Sequence, residues 1–177
     1  MACRIGIIIY AILQFVAFVL VLVGTPIDMF REKEVDALGN TACLTLWGAK
    51  LKCYSTKYDA KTNDLWANCK PRLTRFRAAE AFALISIVLY GVACLFGFIM
   101  LCCCSCFRWI CLVFNIVGIC TSCVTWACMV EAYYRDQGPG ITCAKFEGSL
   151  KYGAGFALFV AGWCVNIINI VFLMLPC

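Results

Sequence analysis

The chain of 177 residues has no histidine. This removes the side chain most often used as a general base or metal ligand near neutral pH. Charge is scarce as well: Asp, Glu, Lys and Arg make up 14% of residues, against about 25% in a typical soluble domain. There is no glycine-rich phosphate loop, and no Ser, Cys, Lys or Asp stands in a motif that sets a nucleophile beside a base. An enzyme is therefore not expected, and neither is a cofactor or a metal. The basic surface with readable motifs that nucleic-acid binding requires is missing too. None of the asparagines is followed by x-Ser or x-Thr, since Asn40-Thr41-Ala42 and Asn68-Cys69-Lys70 both miss, so the chain offers no N-glycosylation acceptor.

What is present is hydrocarbon. Hydrophobic residues make up 64% of the chain and the mean hydropathy is +0.89, which places it in the membrane class, with the lipid bilayer as its first partner. Four apolar blocks, 5–24, 78–101, 110–130 and 152–175, are each about the length of a bilayer-spanning helix. The first has Gln14 as its only strongly polar side chain and ends at Thr25-Pro26, because proline disfavours helical geometry in the residue before it. A cleaved signal peptide is the rival reading of this block. Its apolar core would normally be about 7–15 residues long with a small-x-small site after it. This run is longer, and Leu22-Val23-Gly24-Thr25 is a poor cleavage context. A retained span is the better reading. The expected fold class is an all-α membrane protein: four transmembrane helices in a bundle, with a small disulfide-stabilised β-sheet from the first loop and the second loop as a candidate contributor.

Polar residues collect in loop 25–77, which holds ten of the fifteen Lys and Arg and six of the ten Asp and Glu. Segments 27–30 and 42–47 read as strands, and 36–40 and 59–64, rich in Asp, Asn and Gly, read as turns. The aromatics Phe30, Trp47, Tyr54, Tyr58, Trp66 and Phe76 argue for a small folded unit, which with so few strands needs disulfides or packing on the helices. Its centre is Cys43-Leu44-Thr45-Leu46-Trp47-Gly48-Ala49-Lys50-Leu51-Lys52-Cys53. Alternation puts Thr45 and Trp47 on one face of a strand and Leu44 and Leu46 on the other. A hairpin folding at Gly48 would bring Cys43 opposite Cys53, within reach of a disulfide. Trp47 is then a core residue of the sheet or an exposed contact, with core favoured. Four cysteines lie in polar loops: Cys43, Cys53, Cys69 and, in the second loop 131–151, Cys143. They permit three pairings. Cys43–Cys53 with Cys69–Cys143 is favoured, and Cys53–Cys69 with Cys43–Cys143 is the alternative.

The hinge 102–109 carries Cys102, Cys103, Cys104 and Cys106. Cysteines packed at a bilayer border suit S-acylation on the cytosolic side; simple apolar cysteines are the close alternative. Zinc would need four ligands, and no second CxxC stands in a matching polar loop. Within the spans, Glu80 reads as an interfacial charge in the first turn of the second helix. Ala93 and Gly97 form a small-xxx-small pair, and Asn115 is the main polar residue of the third block. Tyr133 and Tyr134 mark the interface after it. In the last block Gly153, Ala157 and Ala161 recur every four residues as a candidate packing ridge. Asn166 and Asn169 share a helix face, where amides usually bond to a neighbouring helix rather than line a substrate path.

Four spans put both termini and the hinge on one side and both loops on the other. Lys and Arg crowd the loop side, which by the positive-inside rule would be cytosolic. An even number of cysteines on that same side argues instead for an oxidising exterior. The cysteine argument is preferred, with termini cytosolic and loops extracellular.

The stretch from Cys43 to Cys53 closely resembles the signature of the amastins, surface proteins of trypanosomatid parasites. The Gly-Thr-Pro end of the first helix, the long first loop, the four spans and the short termini are similar to that family as well. Lys52 departs from it, standing where the family usually has an acidic or uncharged polar residue. The resemblance implies an exposed loop side, cytosolic termini and display on the plasma membrane of the intracellular stage. Amastins are described as glycoproteins, which here leaves the loop threonines as O-linked acceptors. The architecture is also similar to claudin-like four-helix proteins, although their Leu-Trp motif precedes the cysteine pair. Two functions compete. In the first, the chain is a non-catalytic surface protein that contacts host membrane, host protein or a second copy of itself, with Leu46, Trp47, Gly48 and Lys50 as candidate contacts. In the second, an oligomer transports ions, protons or small solutes, using Gln14, Glu80, Asn115, Asn166 and Asn169.

Overall fold

The apolar blocks form the four long helices of a computed structural model, which describes residues 2–33, 41–53, 55–102, 107–140 and 143–174. In chain order the elements are α1 (Ala2–Gly24), β1 (Asp28–Glu32), β2 (Cys43–Thr45), β3 (Gly48–Lys50), β4 (Ala60–Lys61) and α2 (Thr62–Leu65). They continue with α3 (Lys70–Cys102), α4 (Arg108–Tyr134), β5 (Leu150–Tyr152) and α5 (Ala154–Met174). The four helices α1, α3, α4 and α5 are long and apolar enough to cross a membrane. α1 packs on α5 and α3, and α4 packs on α3 and α5, which closes a four-helix bundle.

One spacing governs all four helices. The buried seam of α1 runs through Tyr10, Gln14, Ala17, Val21 and Gly24, with Ala11 buried beside it, and that of α5 through Gly155, Phe159, Gly162, Asn166, Asn169 and Leu173. The steps alternate between four and three residues. The same alternation carries α3 from Ala79 through Ser86 and Tyr90 to Met100, and α4 from Cys111 through Asn115 and Ser122 to Ala132. An average of about 3.5 residues is the seam of a left-handed bundle. The seam is rich in small and polar residues alongside Val21, Met100, Phe159 and Leu173, while Ile5, Val88, Leu95, Val113 and Val171 point outward. This inverts the soluble pattern, because lipid solvates aliphatic side chains as well as a protein core does.

That spacing corrects the expected packing ridge. Gly153 is buried just ahead of α5, but Ala157 and Ala161 are exposed. A strict four-residue step drifts about 40° per turn away from the seam. The close approaches fall on Gly155, where a Cβ would lie 2.7 Å from the Gly24 and Ile27 carbonyl oxygens, and on Gly162, where it would lie 2.8 Å from Val21. The Ala93–Gly97 pair does face α1, with a Gly97 Cβ position 3.1 Å from Tyr10.

On one end of the bundle sits an antiparallel sheet in the order β4-β3-β2-β1-β5. Both loops build it, since β5 pairs with β1 through Phe30 opposite Tyr152. The hairpin differs from the sequence reading. Strand β2 ends at Thr45, the chain turns at Leu46-Trp47, and Cys43 lies opposite Lys50 rather than Cys53. Thr45 causes the early turn: its Oγ1 accepts from the Trp47 amide at 3.2 Å and donates to the Gly48 carbonyl at 2.8 Å. Segment 59–64 is also more than a turn, forming β4 and the start of α2. Helix α3 begins at Lys70, about two turns before the apolar block. Segment 36–40 and Tyr54 lie outside the described residues.

Candidate functional site

The head is held by two disulfides. Cys43–Cys53 closes the hairpin with its Cα atoms 5.2 Å apart, although Cys53 lies beyond the end of β3. Cys69–Cys143, at 5.6 Å, joins the two loops across 74 residues. An aromatic row then seats the sheet on the helices. Trp66 meets Phe146, Phe146 meets Phe30, Phe30 meets Tyr152, and Tyr152 stacks on Phe156 of α5 with centroids 4.4 Å apart. Burial pushes the Tyr152 phenol up to about 12, with Tyr134 and Tyr133 beside it adding to the rise.

Beside the second disulfide sits a residue that the sequence does not mark. Arg72 is 1% exposed. Its Nε donates to Gln137 Oε1 at 3.3 Å, and its Nη2 donates to the carbonyls of Cys143 at 3.2 Å and Ala144 at 2.7 Å. The guanidinium also lies 4.3 Å from the Phe146 ring centre and 5.0 Å from that of Trp66. A planar fork with several donors can satisfy carbonyls and stack on rings at once. At the same level Arg75 pairs with Glu131 at 2.9 Å, tying the head ends of α3 and α4.

The signature residues divide by role. Leu46 is fully buried in the core, and Gly48 is buried where an added Cβ would meet the Ala60 carbonyl oxygen of β4. Neither can touch a partner, which removes both from the candidate contacts. Lys50 buries its stem and sets its ammonium 4.6 Å from the Tyr58 ring centre. Trp47 is half-buried: it packs against the core and also lines a cleft of about 270 Å³ with Tyr58, Lys61, Thr62, Asn63 and Glu80. Glu80 is thus not a first-turn charge, because α3 starts ten residues earlier. Its Oε1 accepts from the Thr62 hydroxyl at 2.8 Å.

Inside the membrane the structure brings the polar residues of the four helices to one level. Asn169 Nδ2 donates to Gln14 Oε1 at 2.8 Å, and Asn115 Nδ2 donates to the Tyr10 hydroxyl at 2.9 Å. Asn166 Nδ2 lies 3.4 Å from the Asn115 carbonyl oxygen, and Tyr90 bonds Ser122 at 3.2 Å. The amides of Asn166 and Asn169 therefore meet neighbouring helices. On one side the layer is bounded by Met100, Cys111 and Leu173, and on the other by Val21, Ala83, Met129 and Phe159. Cys102 closes α3, but its side chain and the residues Cys103, Cys104 and Cys106 lie outside the described residues.

A four-helix membrane bundle that carries a two-loop sheet, stapled by disulfides on one end, defines the class: a multi-pass membrane protein with a covalently braced head. The family model described as amastin surface glycoprotein matches residues 15–173, and the chain belongs to the amastin family. It is a surface membrane protein. Comparison with curated proteins gives no match.

Proposed function

We propose that the chain is a non-catalytic plasma-membrane protein whose head, outside the cell, contacts host membrane or host protein or organises the surface around it, with both termini cytosolic. The observation that carries this reading is that the two disulfides found among the described residues both lie in the head, one of them joining the two loops. A covalent brace of that kind is used where the environment is oxidising. It holds Trp47, Lys52 and Lys57 on a fixed frame at one end of the bundle, with Lys52 and Lys57 exposed. The enclosed polar layer supports interaction over transport, because apolar side chains bound it on both sides and channels line their path with accessible polar or ionisable groups. The test is labelling of intact cells with a membrane-impermeant amine reagent, followed by peptide mapping. Lys52 and Lys57 are expected to react without permeabilisation, and antibody raised against the head is expected to reduce survival inside host cells. Labelling only after permeabilisation would overturn the orientation; unchanged survival with antibody bound would overturn the contact role.

A further inference from the structure

The cleft beside Trp47 is lined by two charged residues, Lys61 and Glu80, that form no ion pair with each other. Two aromatic residues, Trp47 and Tyr58, line it together with Lys61 and Glu80. Glu80 spends Oε1 on Thr62, and Oε2 makes no hydrogen bond among the described residues; the Lys61 ammonium makes none either. A small cleft lined by two opposite charges that do not pair with each other, together with aromatic residues, is complementary to a ligand that carries both charges.

The depth of the cleft narrows the ligand. The apolar span of α1 covers Ile5–Gly24, about the hydrocarbon thickness of a bilayer. Antiparallel packing sets Tyr10 of α1 against Gly97 of α3, Phe18 against Gly91, and Gln14 within 3.5 Å of the Tyr90 carbonyl. Continued to the end of α1, this register puts Gly24 level with about Ala83. Glu80 then lies about one turn beyond the hydrocarbon, in the layer of lipid headgroups and interfacial aromatic rings.

We propose that this cleft binds the head of a zwitterionic phospholipid from the surrounding leaflet, its ammonium against Trp47 and Glu80 and its phosphate against Lys61. A neutral sugar could use the rings but would leave both charges without partners. An anionic head would meet Lys61 but be repelled by Glu80. The site does not depend on what the head of the protein touches.

Native mass spectrometry of the full chain, purified in detergent and titrated with phosphatidylcholine, phosphatidylglycerol or a galactosyl diacylglycerol, tests this. Phosphatidylcholine is expected to be retained at least about fivefold better than either of the others. Glu80→Gln, which keeps an acceptor for Thr62, and Lys61→Gln are each expected to abolish that preference. Peptide mapping of both disulfides verifies that the variants fold. Soluble glycerophosphocholine is expected to displace the retained lipid, whereas glycerol phosphate is not. Equal retention of the three lipids, a preference for the galactolipid, or an unchanged preference in Glu80→Gln would overturn the proposal. So would failure of glycerophosphocholine to compete, since the lipid would then be held by its chains on the helix faces.

Discussion

Arg72 ties the second loop to α3. Its guanidinium satisfies one side-chain and two backbone oxygens while lying over the adjoining rings of Trp66 and Phe146. Removing a buried charged donor leaves several acceptors unpaired at once, which costs far more than a single neutral hydrogen bond is worth. Arg72→Met is expected to destabilise the protein by about 3 kcal/mol, read as lowered thermal stability in detergent together with poor Cys69–Cys143 formation. Arg72→Lys should fall between that variant and wild type, because an ammonium keeps the charge but loses the fork and the stack. Wild-type stability in Arg72→Met would show that the cluster is incidental. Nothing in the sequence around Lys70-Pro71-Arg72 announces this role, since the partners lie 65 to 72 residues further on. Trp47 was legible as a special residue, but not its position: half in the core and half on a cleft.

At the scale of elements, spans and seams behave differently. The spans were readable because bilayer thickness requires about 20 apolar residues and the sequence supplies four such runs. The seam was not, because in lipid the inward face of a helix is not its most hydrophobic face. Gly162→Leu is expected to destabilise the bundle by about 1–3 kcal/mol through overpacking against Val21 and Ala17. The neighbouring Ala161→Leu, on the outward face, should stay within about 0.5 kcal/mol of wild type. Thermal or denaturant unfolding in the same detergent measures the pair. Equal losses would contradict the seam. The hairpin teaches the same lesson on a smaller scale: alternation predicted a strand through Trp47, but the Thr45 hydroxyl captured local backbone groups and turned the chain two residues early.

For the whole molecule, the bond that matters is the one joining the loops. Cys69–Cys143 spans 74 residues and Cys43–Cys53 only 10, and a cross-link restricts the unfolded chain more as the loop it closes lengthens. Replacing both Cys69 and Cys143 by Ser should cost about 2–4 kcal/mol and expose the second loop to trypsin at Lys145 and Lys151. Replacing Cys43 and Cys53 should cost less and leave that loop protected. Equal loss and equal cleavage in the two double variants would mean that the head is not fastened through its second loop.

By itself the sequence determined the medium, the number of spans, the braced polar head and the family, because hydropathy, cysteine placement and a short signature are properties of local composition. Tertiary structure alone decided that β5 from the second loop completes the sheet, that Arg72 of α3 holds the second loop beside the Cys69–Cys143 disulfide, and that Leu46 and Gly48 face inward. It also decided that the bundle is sewn by Gly155, Gly162 and a layer of amides rather than by Ala157 and Ala161. Each of these depends on contacts between residues far apart in the chain, inside a solvent that hides which face of a helix is the interior.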